Sequence, residues 1–428
     1  MDKRKIETAI KERVSYYTGE IWQTTYHFVK WNFLAIFTGG IVGVLSGLFG
    51  HALSIATGWR KEYPWLMFGL PLAGVVIVFL YKKFGKDDGG TNQVFSTVRN
   101  RDEVPATAAP LIFVSTVLTH LTGGSAGREG AAIQLGGSVA NQLGRWMKMD
   151  DEDTHVIVMC GMSAAFAALF GTPMAAAIFS LEVISVGIMY YTALMPCLIA
   201  SLMAAGVANA MGIHAEHFYE GFVPKLTVAG GFKMGIVILV CSIVSILFCM
   251  VLKKVGKIYG KMKNKYVRII VASFIIIGLN LMLQTTDYMG AGTELIVQAV
   301  QFGRVEPWAF FWKILLTAFT MKAGFKGGEI VPSFCIGATL GCAMGQLVGF
   351  EPRLCAACGM VAVFCGVTNC PITSMLIAFE LFGFEGVSYF LIAIAVSYAT
   401  SGYYGLYKDQ TIVYSKYKAK YVNQKTRT

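Results

Sequence analysis

One stretch of this chain occurs twice. Residues 160–182 read CGMSAAFAALFGTPMAAAIFSLE, and residues 358–380 read CGMVAVFCGVTNCPITSMLIAFE, at a constant offset of 198 residues. Seven positions are identical: Cys160/Cys358, Gly161/Gly359, Met162/Met360, Ala164/Ala362, Phe166/Phe364, Pro173/Pro371 and Glu182/Glu380. Each copy reads as an apolar helix, a break at a polar tripeptide containing Pro, and a second apolar helix ending in Glu. Upstream, the glycine-rich stretch around Glu129 has a counterpart in GFKGGEIVPSFCIGATLG, residues 324–341. Both lead into a small-residue helix that reaches a Gln-Leu pair, Gln142-Leu143 and Gln346-Leu347. The repeat predicts two homologous halves, 31–215 and 225–410. A 1–30 segment of amphipathic character precedes them and a basic 411–428 tail comes after them, with no C-terminal regulatory domain.

The units that repeat are apolar. Apolar runs tile the chain near 32–57, 65–81, 106–121, 154–187, 188–210, 231–252, 268–284, 307–320, 330–349, 355–382 and 386–401. Only 14% of residues are charged, against about 25% in soluble domains. The chain is therefore an all-α integral membrane protein. Some runs are too short for a span of about 20 residues, or are cut by Gly or Pro, which predicts broken and tilted transmembrane helices. Repeated halves with broken helices are the architecture of transporters and channels, with the substrate site between the repeats.

The net charge of +11 is unevenly placed. Residues 1–13 hold five Lys/Arg, 253–268 hold seven with no acid, and 408–428 hold six, together eighteen of the 36 basic residues. The positive-inside rule puts all three stretches, and both termini, in the cytoplasm. The bias reads as membrane topology, so no nucleic-acid partner is expected. Arg60 and Lys61 fall on the outer side as an exception. The loop 253–268 comes after the first long helix of the second half, whereas the first half enters its first long helix from the inside; the halves thus have inverted topology. No cleavable signal peptide is read in the first 30 residues. The ten cysteines are scattered through apolar runs, and the Cys355/Cys358 pair lacks the further ligands of a zinc site. They read as core thiols, with no metal and no cofactor.

Four glycine-rich breaks are candidates for helix N-termini inside the membrane: GGTNQVF (89–95), GREGA (127–131), GGEIVP (327–332) and GYYGLY (402–407). A helix N-terminus offers unpaired N–H groups and the positive end of the helix dipole, and glycine lets an anion reach the backbone. Converging N-termini bind an anion without a full positive charge, which lets it leave again.

In this order, GREG before a small-residue helix, GGEIVP, FGTP with a later Glu, and a late Tyr in GLY resemble the CLC family of anion channels and anion/proton antiporters. The resemblance covers about 30–410 and implies the CLC fold, anion transport and a homodimer with one pathway per subunit in the plasma membrane lipid of a bacterial cell. It makes Glu129 the gating and proton-carrying carboxylate: ionised, it occupies the anion site; protonated, it swings away. The anion site would draw on Gly127, Arg128 and Gly130 of GREG, the backbone at Ile330 and Val331, the Tyr407 hydroxyl, and Thr91 with Asn92 or Phe95 in the loop where the family usually has Ser. A structural Arg128–Glu129 ion pair is the bland alternative, opposed by the rule that adjacent residues do not face each other on a helix. Thr91 has an alternative as a helix cap, and Tyr407 as an interfacial Tyr.

Chloride/proton exchangers of the family carry two successive Glu after the FNAP helix, the second relaying protons. This chain has Glu182 and then Val183. An apolar residue there, GGE with an aliphatic and xP, and FGTP resemble the fluoride/proton antiporter branch. That branch commonly has Met in the filter and Thr where Val331 stands, and this chain has neither. Fluoride/proton antiport is the expected activity, with protons and fluoride or chloride as the ions carried; a chloride channel or exchanger is the alternative. With Val183 at the relay position the inner proton route is unassigned, Glu329 and Glu380 being proton carriers or helix caps. An enzyme reading rests only on GGSAG (123–127), which fits G-x-S-x-G but lacks the strand before it.

Overall fold

The computed structural model describes residues 3–85, 90–100, 104–214 and 223–428, with side chains from residue 17 onward except that of Asn100. Gly89 of the first glycine-rich break and residue 215, the end of the first half, lie outside the described residues. The helices fall into two matching runs. The first is α1 (Lys3–Glu62), α2 (Leu70–Phe84), α3 (Thr91–Asn100), α4 (Ala108–Leu121), α5 (Glu129–Trp146), α6 (Asp151–Phe170), α7 (Pro173–Glu182) and α8 (Leu194–Ala210). The second is α9 (Val228–Gly260), α10 (Lys265–Leu283), α11 (Thr293–Phe302), α12 (Ala309–Ala323), α13 (Ile330–Val348), α14 (Pro352–Thr368), α15 (Pro371–Phe382) and α16 (Val387–Thr400). Among the described residues seven helices are long and apolar enough to cross a membrane, and five apolar helices are only 10–17 residues long. This is a multi-pass membrane protein. From Lys3 onward the expected 1–30 segment is helical, and α1 continues from it without a break into the first apolar run.

The duplicated sequence becomes two equivalent helix crossings. α5 packs along α6, and α13 along α14. At the first crossing a Cβ on Gly136 would lie 2.1 Å from the Gly161 carbonyl oxygen, and one on Gly161 would lie 2.3 Å from that of Gly136. At the second, Gly337 and Gly359 stand in the same relation at 2.3 and 2.4 Å. Only glycine permits backbones this close, the small-residue packing of membrane helices. Gly161 and Gly359 are one of the pairs at the 198-residue offset.

The repeated Pro and Glu have a shared explanation. Each Pro opens a short helix, α7 or α15, after a polar break. The Glu that lies near the end of each of these helices caps the other one. Glu182 accepts from Ile372 N at 3.1 Å, Thr373 N at 2.9 Å and Thr373 Oγ1 at 2.6 Å; Glu380 accepts from Met174 N and Ala175 N at 2.9 Å each. Four N-terminal N–H groups inside the membrane thus find carboxylate acceptors on the opposite half. Of the two readings of Glu380, its contacts are those of a cap. Removing a cap strands buried donors, at about 1–3 kcal/mol each. Glu182→Ala is expected to lower the melting temperature in detergent clearly, and Glu182→Gln, which keeps one acceptor oxygen, by less. Equal melting of Ala and wild type would contradict the cap.

The chain end departs from the all-helical expectation. No helix comes after the 402–407 break. Instead β2 (Thr411–Tyr414) pairs in parallel with β1 (Ser185–Val186), just after α7, and antiparallel with β3 (Tyr421–Lys425). The β-branched and aromatic residues of TIVY, and the Tyr and Val that open YVNQK, suit strands. The hairpin anchors the segment carrying Tyr407: Thr426 Oγ1 donates to the Tyr407 carbonyl at 2.5 Å, and Gln410 Nε2 donates to the Val183 and Thr368 carbonyls at 2.9 and 2.6 Å.

Candidate functional site

The GREG and GGE segments meet where the two halves touch. Gly127 N donates to the Gly328 carbonyl at 2.8 Å, and Gly328 N donates to the Gly127 carbonyl at 2.7 Å. This isolated antiparallel bridge brings the starts of α5 and α13 together. A Cβ on Gly328 would lie 2.6 Å from Gly130 N, and one on Gly327 would lie 2.9 Å from the Gly127 carbonyl oxygen. The glycines are therefore required by the clasp between the halves as well as by any ion.

Glu129 is the first residue of α5 and is 0% exposed. Its Oε2 accepts from the Arg128 N at 3.0 Å, and Arg128 Nε stands 3.6 Å from its Oε1. The carboxylate folds back over Gly127, where a Cβ would lie 2.8 Å from Oε2. The adjacent-residue rule thus does not exclude this ion contact: Arg128 is the N-cap, outside the helix, so its side chain can turn toward Glu129. Its Nη2 also donates to the Leu169 carbonyl at the end of α6, at 3.2 Å.

Two cavities flank this carboxylate in sequence and space. One, of about 290 Å³, is lined by Thr91, Asn92, Gly130, Gln134, Glu329 and Tyr407, with Arg268, Lys322 and Lys326 at its wall. The other, of about 340 Å³, is lined by Arg128 with Arg60, Lys61, His120, Asp287 and Glu294. Arg128 lines one and Gly130 the other, and the buried Glu129 stands between these two residues in the chain.

The site residues expected from sequence are placed unequally. Thr91, Asn92, Gly130 and Tyr407 share the smaller cavity, Gly127 forms the bridge, and Arg128 serves the other cavity. Thr91 is not a cap: its Oγ1 donates to the Gly130 carbonyl at 3.3 Å and accepts from Gln134 Nε2 at 3.0 Å, tying α3 to α5. Asn92 Oδ1 accepts from Asp409 N at 3.4 Å. Phe95 does not line the cavity. It is buried behind Tyr407, edge to face at 4.9 Å between ring centroids. Ile330 and Val331 are buried in the first turn of α13 and offer only backbone there. The 402–407 break supplies Tyr407 but no helix dipole, so three helix starts converge: those of α3, α5 and α13.

Sequence reading missed Gln134, the Lys322–Glu329 ion pair at 2.9 Å, and Lys313. Lys313, fully buried, donates through Nζ to the Tyr288 and Gly290 carbonyls at 3.0 and 2.7 Å. Gly290 in turn pairs with Gly124 and Ala126, just before Glu129. A lysine inside the apolar run 307–320 was the available signal, since ionisable groups in membrane helices mark functional positions. Ser125 of the GxSxG match bonds Thr317 Oγ1 at 3.0 Å, while the His120 ring faces the Gly127 carbonyl. These contacts are structural and do not form a nucleophile–base pair.

The family described as voltage gated chloride channel matches residues 73–402. A chloride/fluoride channel protein of Pseudomonas syringae pv. tomato is 36% identical over 400 residues, covering 91% of this chain and 88% of that protein. The crystal structure of a CLC-type fluoride/proton antiporter aligns with a TM-score of 0.86 at 32% identity, covering 90% of this chain and 98% of that one. The structure of a slow cyanobacterial Cl−/H+ antiporter aligns at 0.77 with 21% identity, covering 87% and 94%, which speaks for the fold alone.

Proposed function

The chain belongs to the voltage gated chloride channel family, the CLC anion channels and antiporters, and on that premise we propose that it exports fluoride in exchange for protons. Anion transport comes with the family; the ion, the coupling and the residues are our reading. The observation that carries it is Glu129, wholly buried at a helix N-terminus between two cation-lined cavities. Ionised, Glu129 takes the anion position. Protonated, it gives up that position to the incoming ion, so anion and proton exchange at one carboxyl group. Fluoride, a compact and strong hydrogen-bond acceptor, suits the first-turn N–H groups of α13, the Tyr407 hydroxyl and the amide-rich mouth of Thr91, Asn92 and Gln134. The likeness to a fluoride/proton antiporter supports the exchange, and the likeness to a chloride/fluoride channel protein supports fluoride as an ion carried. Val183, where a chloride exchanger would carry its relay carboxylate, speaks against that alternative.

We place both termini and the lysine-rich 253–268 stretch in the cytoplasm of a bacterial cell, with the protein in the plasma membrane. The cavity of Thr91 and Tyr407 then opens inward. A homodimer with one pathway per subunit fits the exposed apolar side chains Met195, Leu202 and Met203 on α8 and Leu391 on α16.

The test is efflux from proteoliposomes loaded with fluoride or, separately, with chloride. Fluoride is expected to leave more than about tenfold faster, the ratio that about 1.4 kcal/mol of discrimination gives. Equal rates would assign the protein to the chloride reading.

A further inference from the structure

A third cavity, of about 690 Å³, lies away from Glu129 between the ends of α2 and α10. Five cations line it: Lys82, Lys263, Lys265, Arg268 and Lys326. Among the described residues no acidic side chain does. Two aromatic rings join them. Lys326 Nζ stands 4.2 Å from the Tyr81 ring centroid, and Lys82 Nζ stands 6.0 Å from that of Tyr266. Behind these polar groups, one turn deeper along α2, the lining becomes Ile77 and Val78. The cavity is thus cationic at its mouth and apolar at its floor.

Its position explains that polarity. α2 and α10 pack on each other at the periphery, where their spans are only 28% and 33% buried. Leu72, Phe79, Val271 and Phe274 on these two helices are exposed and face the hydrocarbon. The cations cluster at one end only, with the C-terminus of α2 and the N-terminus of α10. The lysine-rich stretch 253–268, which closes α9, turns at 261–264 and opens α10, lies at that same end. Lys82, Lys263, Lys265 and Arg268 bring like charges to one cavity, and a bound anion would relieve their repulsion. A cavity open at the membrane surface and continuous with lipid-facing helices selects an anion that carries hydrocarbon.

We propose that this cavity binds the phosphate headgroup of an anionic phospholipid from the cytoplasmic leaflet. The lysines and Arg268 would hold the phosphate, Tyr81 and Tyr266 the glycerol region, and the α2–α10 flank the acyl chains. Basic pockets between transmembrane helices on the cytoplasmic side recognise such headgroups. The cytoplasmic assignment rests on the orientation proposed above, but the binding does not depend on which ion is transported. Arg268, Gly324 and Lys326 also line the cavity of Thr91 and Tyr407, so the headgroup would lie beside the inward mouth of the pathway.

The experiment measures lipid retention on the purified protein in detergent, by native mass spectrometry. Phosphatidylglycerol is titrated against phosphatidylcholine of the same acyl chains. The wild type is expected to retain phosphatidylglycerol preferentially, and Lys82→Gln with Lys265→Gln to cost about fivefold per lysine, from about 1 kcal/mol each. Lys82→Arg with Lys265→Arg keeps the charge and is expected to keep the preference. It also separates lost binding from lost folding, together with the melting temperatures of both variants. Millimolar glycerol 3-phosphate or inorganic phosphate is expected not to displace the lipid. Equal retention of the two lipids, or a preference that survives the double Gln variant, would overturn the site. Displacement by soluble phosphate would overturn the lipid as its occupant. Because no transport is measured, failure of the fluoride/proton reading would leave this result untouched.

Discussion

Glu129→Gln is expected to abolish proton movement coupled to anion efflux, bringing it to the leak of protein-free liposomes. Glutamine keeps the size of the side chain and an acceptor for the Arg128 N–H, so the start of α5 should remain formed. What it loses is the ability to alternate between an anion and a neutral acid. In the proposed cycle the ionised carboxylate competes with fluoride for one position, and its protonation carries the exchanged proton. A permanently neutral side chain can neither occupy the anion position as a charge nor release a proton, so any remaining fluoride flux would run downhill without protons. The readout is internal pH recorded with external fluoride in the same proteoliposomes. Undiminished proton movement in Glu129→Gln would remove this residue from the coupling mechanism.

Gly328→Ala is the second large effect. Its Cβ would lie 2.6 Å from Gly130 N, a contact with backbone that no rotamer change can relieve. The two-bond clasp to Gly127 would have to open, moving the starts of α5 and α13 apart. Overpacking of this kind costs about 1–3 kcal/mol in stability. The greater loss should fall on transport, because a displacement of about 1 Å in an aligned site costs about 100-fold. Efflux at about 1% of the wild-type rate, from that same 100-fold loss, in protein that still elutes as a folded species, is the expected result. A rate near wild type would show that the clasp is not needed to shape the pathway.

These two residues also show how far the sequence can be read. Glu129 stands out as a candidate in the sequence because a carboxylate beside glycines in an apolar chain needs a reason, and the structure places it buried at the start of α5. The Pro and Glu of the 198-residue repeat were legible as a repeated device, although not as reciprocal caps. Glu182 reaches α15 and Glu380 reaches α7, pairings 190 and 206 residues apart that helical periodicity does not encode. The same limit hid the Gly127–Gly328 bridge, which joins residues from both halves. Arg128 facing Glu129 runs against the rule for adjacent residues because that rule holds inside a helix and Arg128 precedes it. The 402–407 break misleads because glycine and tyrosine mark a change of direction without specifying the next element. The next element is a strand whose partner, Ser185–Val186, lies in the other half of the chain. Lys313 was visible in the sequence, but only its two carbonyl acceptors explain it.

The most direct measurement of the central claim is proton movement driven by a fluoride gradient. Proteoliposomes loaded with fluoride are diluted into fluoride-free buffer with the membrane potential clamped by potassium and valinomycin, and internal pH is recorded with no initial pH difference. Exchange at Glu129 predicts that fluoride efflux drives protons inward against the gradient they create, in the wild type and not in Glu129→Gln. Fluoride efflux with no change in internal pH would contradict exchange and leave the protein a passive anion pathway.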